Sequence, residues 1–165
     1  MILTFVIRDK LNTSYEFWDR WIEGAKEIYS LINIEPTNCS VSTPEKDGGL
    51  LKYKSLEKKI ERTKAKNELI NNISFYVLPT NYTTIIFDYI MKIESVMGTT
   101  YLSFNESYMS IDNLDENKIV DILKKMVPDG KGEIFFMDNR ECPAMYALNM
   151  NTPDFYKTLK VVRQF

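Results

Sequence analysis

The 165-residue sequence contains no histidine and only two cysteines. Histidine is the commonest general base near neutral pH, the usual partner of Ser and Cys nucleophiles, and a frequent zinc or haem ligand. Its absence excludes most familiar catalytic designs. Cys39 and Cys142 lie far apart and form no C-x-x-C pair, and two thiols cannot complete a closed zinc site. We therefore expect two unpaired thiols, no bound metal and no cofactor.

Net charge and long apolar runs are also scarce. The chain has 21 Lys and Arg residues against 23 Asp and Glu residues, a formal charge of -2, so nothing in the composition favours nucleic acid or an anionic membrane. The apolar run at the N-terminus ends at Arg8 and has no basic segment before it, unlike a signal peptide. Residues 84–91 contain Asp88 and fall short of the roughly 18 residues that span a bilayer. These features predict a cytoplasmic protein with no membrane partner.

The apolar content, 44% hydrophobic and 13% aromatic residues, is sufficient for one core. We predict a single α+β domain over residues 1–165, with a mainly antiparallel sheet, two longer N-terminal helices and one or two short helices. Thr13 and Glu16 form a capping box that predicts the start of the first helix. The residues that follow place an apolar and aromatic stripe at steps of three and four, which is typical of a core-facing surface: Tyr15, Trp18, Trp21, Ile22, Ala25, Ile28, Tyr29 and Ile32.

The region after this helix divides into a predicted loop and a predicted basic helix. Residues 33–50 are rich in turn formers, which predicts a long surface loop. Residues 54–72 are rich in helix formers with a narrow apolar line, which predicts a second, mostly solvent-facing helix. Between Lys46 and Lys66 eight basic residues stand against three acidic ones, a local balance of +5. This segment is the one basic patch of the sequence.

The rest of the chain alternates with a period of two, which is typical of strands. A short helix is predicted to open at the capping sequence of residues 113–116, and a last helical turn at Thr152 and Pro153. The segments 84–94, 99–104 and 107–111 are predicted to form an antiparallel meander with turns at 95–98 and 105–106. The other predicted strands are residues 1–8, 74–78, 133–138, 144–149 and 159–163.

Two short motifs suggest ligand binding but fit simpler interpretations better. Gly130-Lys131-Gly132 lacks the spacing of a phosphate-binding loop, so it predicts a tight turn. The acidic residues of 112–121 do not follow the calcium-binding pattern of an EF-hand. Carboxylates in a first helical turn favour the helix dipole, and we expect these residues to act in that way.

Acidic residues and tyrosines coincide in one region. Residues 88–121 contain seven acidic and two basic side chains, a balance of -5. In the predicted register the outer face of the meander carries both residue types, and tyrosine with acidic neighbours suits the docking of a basic protein. An ordinary solvated sheet face is the alternative. The predicted partner-binding residues are Asp88, Glu94, Tyr101, Glu106, Tyr108 and Asp112.

A small acidic α+β domain without a catalytic motif, with a sheet face rich in Tyr and acid and many Lys, Asn and Ile residues, resembles a bacterial immunity protein. Such proteins neutralise the toxin domains of contact-dependent growth inhibition and other polymorphic toxin systems. The resemblance implies a tight one-to-one complex with a cognate toxin, often a basic nuclease, and no enzymatic activity. It transfers no residue roles.

Two other functions remain open. The basic helix over residues 52–66 could bind nucleic acid, although glutamates are interleaved among its lysines. A small enzyme could use Tyr, Lys or carboxylate groups, which requires a cleft where such groups converge.

Overall fold

The computed structural model, which describes residues 1–149 and 153–165, has one antiparallel sheet with helices packed against it. In this part of the chain the sheet has eight strands in the order β3-β2-β4-β5-β6-β1-β7-β8. The strands are β1 (Ile2–Arg8), β2 (Asn38–Ser42), β3 (Leu51–Lys52), β4 (Asn72–Val77), β5 (Met91–Val96), β6 (Thr99–Asn105), β7 (Lys131–Met137) and β8 (Lys160–Gln164). The helices are α1 (Tyr15–Ile32), α2 (Leu56–Ala65), α3 (Glu116–Met126) and α4 (Pro143–Leu148). The predicted α+β class is confirmed.

Helix α1 forms where the aromatic stripe predicts it and lies on the main core. Its N-cap is Ser14 rather than Thr13, and the Ser14 hydroxyl accepts a hydrogen bond from the Phe17 amide. Trp18 and Trp21 are both buried, and the Trp21 ring meets Phe75 of β4 edge to face. Helices α1 and α3 and the underlying strands therefore form one hydrophobic core.

The second helix and the loop before it differ from the prediction. Helix α2 spans ten residues instead of 54–72, because Asn67 adopts a left-handed conformation (φ 54°) that ends the helical path. The predicted surface loop 33–50 contains strand β2, which pairs with β4 and buries Cys39 and Val41. Burial raises the pKa of the Cys39 thiol to about 11. Both Cys39 and Cys142 are free thiols.

The predicted three-strand meander is only partly correct. The β5–β6 hairpin is present, with Met97 and Gly98 as its two-residue turn. Residues 84–90 form turns rather than a strand, and residues 107–111 also lie outside any strand, because side chains there hydrogen-bond to nearby backbone amides. The neighbour of β6 on its other side is β1.

The sheet is covered on its second face as well, which the sequence did not predict. Residues 144–149 were predicted as a strand, but residues 143–148 form α4, with Pro143 in its first turn. Tyr146 and Ala147 of this helix pack on Tyr101 and Phe135 of the sheet, together with Tyr156 and Leu159. The predicted N-cap Thr152 lies outside the described residues, whereas Pro153 begins a short 3-10 turn and the predicted last strand is confirmed as β8.

Candidate protein-binding surface

The loop between β4 and β5 exposes large apolar side chains beside one of the predicted site residues. Ile86 is 56% exposed and Phe87 39% exposed, and Tyr82 and Tyr108 are exposed to a similar degree. Tyr108 belongs to the turn after β6, and its hydroxyl is one of the groups that lower the pKa of the Asp88 carboxyl. We call the surface formed by Tyr82, Ile86, Phe87, Asp88 and Tyr108 the aromatic tip. It combines apolar area with a carboxylate at one end of the sheet.

Hydrogen bonds to the backbone of Phe87 fix the aromatic tip to the sheet. The Phe87 carbonyl accepts one bond from the Asn139 amide group at 2.8 Å and one from the Asn105 amide group at 3.4 Å. Two residues later the Tyr89 ring is 2% exposed and packs against Ile2, Tyr76 and Leu78. The loop thus presents Phe87 to solvent from a backbone that is held on both sides.

Asp88 organises the interior of the same loop. Its Oδ2 atom accepts hydrogen bonds from the Thr83 amide at 2.9 Å, the Thr84 amide at 3.1 Å and the Thr83 hydroxyl. These bonds lower the pKa of the carboxyl, the Thr83 hydroxyl contributing most and the Tyr108 hydroxyl least. Asp88 therefore stays ionised and also holds the loop in shape.

Glu106 and Asp112 extend the acidic character of this end of the molecule. Glu106 follows β6, and its carboxylate lies 3.3 Å from the N-terminal ammonium group of Met1. Asp112 is exposed and accepts a hydrogen bond from the Ser110 hydroxyl. Four of the six predicted site residues, Asp88, Glu106, Tyr108 and Asp112, therefore lie in the loop that joins β4 to β5 and in the segment that follows β6.

The other two predicted residues, Glu94 and Tyr101, lie on the covered face of the sheet. They pair directly across β5 and β6 and share one face of the sheet, as the predicted alternation requires, but Tyr101 is only 2% exposed. The prediction that Tyr101 faces solvent is wrong, because α4 and the segment before β8 cover that face. Tyr101 cannot serve as a contact for a partner without unpacking this layer.

Glu94 and Tyr101 belong instead to a buried polar network. The Lys92 ammonium donates to the Tyr101 hydroxyl at 3.2 Å, and that hydroxyl donates to Glu94. The second Glu94 oxygen accepts from the Asn72 amide group at 2.7 Å, and the Ser74 hydroxyl donates to Asn72 at 3.1 Å. Each member is satisfied by its neighbour, as a buried polar group requires.

Burial governs the protonation of this network. Desolvation lowers the pKa of Lys92, and the nearby Glu94 carboxylate partly opposes that effect. Desolvation raises the pKa of Tyr101 well above its ordinary value, and Glu94 raises it further. The ammonium of Lys92 lies over the rings of Tyr89 and Tyr101, at 5.3 and 4.9 Å from their centroids. Such contacts are typical of buried side chains that stabilise the fold.

The structure adds Tyr82, Ile86 and Phe87 to the candidate site, three residues that the sequence did not single out. The alternation of residues 84–94 predicts a strand in which Phe87 lies on the face opposite Asp88. The signal that was available is Asp88, since an aspartate shortly after Thr83 and Thr84 favours a side-chain-capped turn over an extended strand.

Within residues 1–149 and 153–165, no group of three cysteine or carboxylate side chains gathers closely enough to hold a metal ion. No helix in this described part is both long and apolar enough to cross a bilayer. No protein-family model, curated protein or solved structure matches the chain.

Proposed function

We propose that this protein binds a basic protein partner through the aromatic tip, and that the partner is a cognate toxin domain which it neutralises by covering the active site. The observation that carries the proposal is the pair Ile86 and Phe87, two large apolar side chains that are exposed next to each other on a loop whose Phe87 carbonyl accepts two side-chain hydrogen bonds. Exposed apolar clusters rimmed by polar groups are typical of protein interfaces.

The rigidity of the aromatic tip supports a binding role. The two amide groups that hold the Phe87 carbonyl and the three donors that hold Asp88 fix the loop before any partner arrives. A loop ordered in advance loses little conformational entropy on association, so more of the contact energy appears as affinity. Aromatic anchors in such a setting are the residues that dominate binding energy in most interfaces.

The charge around the aromatic tip specifies the kind of partner. The Asp88 carboxylate adjoins Phe87 in the loop, and Glu106 and Asp112 belong to the segment after β6, in the acidic region of the sequence. A basic surface would be steered toward these groups, as expected for a nuclease that binds phosphates. The proposal places the protein in the cytoplasm, in a complex that needs no cofactor and performs no chemistry.

The enzyme alternative receives little support from the groups that converge in the fold. Lys92, Glu94 and Tyr101 bring together an amine, a carboxylate and a phenol, as that alternative requires. However, Lys92 is 8% exposed and Tyr101 2% exposed, and both lie under other side chains. A substrate would have to displace the covering layer to reach them.

The test uses the toxic C-terminal domain of the large secreted protein that the proposal expects to be encoded immediately upstream. The wild-type chain is expected to protect cells that express this domain and to form a complex with it. Ile86→Ala and Phe87→Ala are each expected to weaken binding, with about 30-fold loss at whichever is a hot spot. Leu69→Ala is the matched control, because Leu69 is as exposed as Ile86 but lies beyond the opposite end of β4.

Charge is tested separately from the apolar contacts. Asp112→Lys should lower the association rate severalfold at low salt and less at high salt, with little change in the dissociation rate. Asp129→Lys is the control of equal charge change in the turn before β7, near Ile7 at the other end of β1. If Ile86→Ala and Phe87→Ala bind and protect as well as wild type, the aromatic tip is not the interface. If no toxin domain is encoded beside the chain, the immunity function is refuted.

A further inference from the structure

A cavity of about 450 Å³ lies between helix α2 and the loop that joins β2 to β3. Four cationic side chains and one carboxylate are among the described residues that line it, so its net charge is +3. The cations are Lys46 from the loop and Lys58, Lys59 and Arg62 from the helix, and the carboxylate is Asp47. This concentration of one charge sign in a concave site is independent of the aromatic tip.

The four cations have no anionic partner within the described part of the chain. Ion pairs there occupy other lysines and arginines, such as Lys64, whose ammonium lies 2.7 Å from Asp19. No carboxylate of the described residues lies within 4.0 Å of the charged groups of Lys46, Lys58, Lys59 or Arg62. Like charges gathered in a cavity repel one another, and a bound anion relieves that repulsion.

The glutamates that interrupt the basic segment in the sequence lie on a different side of α2. Glu57 and Glu61 line a separate groove between α2 and α1, where Asp19 and Glu23 also lie. Helical geometry thus separates charges that alternate along the chain, because residues 58, 59 and 62 share a face that residues 57 and 61 do not. The glutamates that alternate with the lysines in the sequence therefore do not line the cavity.

The wall opposite α2 is rigid. Thr43 and Lys46 exchange two backbone hydrogen bonds, of 3.0 and 3.1 Å, which close a tight turn and place Lys46. The Gly48 amide donates a hydrogen bond to the Ser42 hydroxyl of β2 at 2.9 Å. The Gly48 carbonyl accepts one from the Ser40 hydroxyl of β2 at 2.7 Å. A Cβ atom at Gly48 would lie 2.0 Å from the Val41 carbonyl oxygen, so only glycine permits this approach. The cavity thus exists before any ligand binds.

We propose that this cavity binds a compact polyphosphate group, such as the di- or triphosphate of a small molecule. Four cationic residues that line one cavity match an anion that carries several charges in a small volume. A nucleic-acid strand spaces its phosphates along an extended line and would call for a row of cations instead. Lys54 and Lys66, which could extend such a row, do not line the cavity.

The test is calorimetric titration of the full chain with tripolyphosphate at fixed ionic strength. Binding with one site per chain is expected, and Lys59→Gln and Arg62→Gln should each weaken it about tenfold. Lys54→Gln and Lys66→Gln remove the same charge outside the cavity and should change the affinity less than twofold. Gly49→Glu is a stricter probe, because a Cβ atom there meets nothing within 4 Å, and the new carboxylate would oppose the anion. Gly49→Gln is its uncharged control and should bind nearly as wild type.

Three results would overturn the proposal. The first is no binding of tripolyphosphate at millimolar concentration by a folded chain. The second is an equal loss in the Lys54→Gln, Lys66→Gln and cavity variants, which would indicate attraction by overall charge alone. The third is tighter binding of a single-stranded 12-nucleotide RNA that depends on Lys54 and Lys66, which would assign this surface to nucleic acid.

Discussion

The phenol of Tyr101 donates its hydrogen bond to the carboxylate of Glu94, directly across the pairing of β5 with β6. The same phenol accepts from the Lys92 ammonium, so the two charged groups share one neutral hydroxyl between them. The Lys92 Nζ and Glu94 Oε2 atoms also lie 3.9 Å apart, and both side chains are mostly shielded from water. The covered sheet face therefore contains an ion pair whose members depend on each other.

This dependence predicts strong coupling between Lys92 and Glu94 in stability measurements. Glu94→Leu leaves the buried ammonium without a counter-charge and should lower the free energy of unfolding by about 3 kcal/mol. The double variant Lys92→Met with Glu94→Leu removes both charges and should be more stable than Glu94→Leu alone. Urea unfolding of the two single variants and the double variant gives the coupling energy. Strictly additive losses would show that the pair is not energetically linked.

The tryptophans of α1 predict a large loss of stability on truncation. Trp18 is 2% exposed, and its indole N–H donates to the Ile70 carbonyl at 2.8 Å. Trp18→Ala removes that bond and leaves a cavity, so it should cost roughly 3–5 kcal/mol in urea unfolding. Trp18→Phe keeps an aromatic ring against Phe17 and Trp21 and should cost less. Free access of acrylamide to both indoles in the native protein would contradict this packing.

Buried tyrosines predict a loss of stability at alkaline pH. Desolvation raises the pKa of Tyr76 to about 12 and that of Tyr29 well above its usual range, so the fold favours the neutral phenols. Stability should be unaffected by these groups below pH 10, their ordinary pKa, and should fall as pH rises above it. The fall is about 1.4 kcal/mol per pH unit for each such tyrosine.

Comparison with Tyr76→Phe isolates one group in this pH dependence. Between pH 10 and pH 12 the variant should lose stability more slowly than wild type, by the slope of a single tyrosine. Lys92, whose lowered pKa acts in the opposite direction, contributes equally to both proteins and cancels. Parallel stability curves above pH 10 would mean that the Tyr76 phenol ionises as easily in the native protein as in the unfolded one.

Two substitutions in the turn of the β5–β6 hairpin should have opposite effects on stability. Met97 (φ 53°) and Gly98 (φ 78°) both adopt positive φ, as a type I′ turn requires. Gly98→Ala should destabilise by more than about 1 kcal/mol, because its Cβ atom would also lie 2.5 Å from the Asp9 carbonyl oxygen. Met97→Asn places a residue that tolerates positive φ and should raise the thermal midpoint. A lower midpoint in Met97→Asn would show that the exposed Met97 side chain stabilises the turn.

Local signals in the sequence were sufficient for some elements and not for others. Helix α1 was predictable because its apolar stripe repeats every three or four residues. The β5–β6 hairpin was predictable because its turn joins two strands that are adjacent in the sequence. Residues 84–90 alternate like a strand, but the Asp88 carboxylate binds nearby amides and creates turns. Residues 144–149 are too few for a period of two to be distinguished from a helical one, and Pro143 at the helix start was the better signal.

Prediction of the candidate site from the sequence was limited because its exposure depends on contacts between distant parts of the chain. The sequence correctly predicted that Glu94 and Tyr101 share one face of the sheet, because successive side chains of a strand alternate between its two faces. Whether that face meets water depends on Tyr146 and Tyr156, which lie more than 40 residues further along. The Phe87 backbone is likewise held by Asn105 and Asn139, which lie 18 and 52 residues further along the chain.

The central position of β1 has a consequence for how the chain is made. Its neighbours in the sheet are β6 (residues 99–105) and β7 (residues 131–137). Strand β1 therefore lacks at least one of its two neighbours until β7 has left the ribosome. At 5–20 residues per second this interval is on the order of ten seconds. Six of the seven residues of β1 are buried in the finished fold, and during synthesis they form an apolar segment with open backbone groups. Nascent chains should therefore depend on chaperones that shield strands, and mature folding should be slow for a protein of this length.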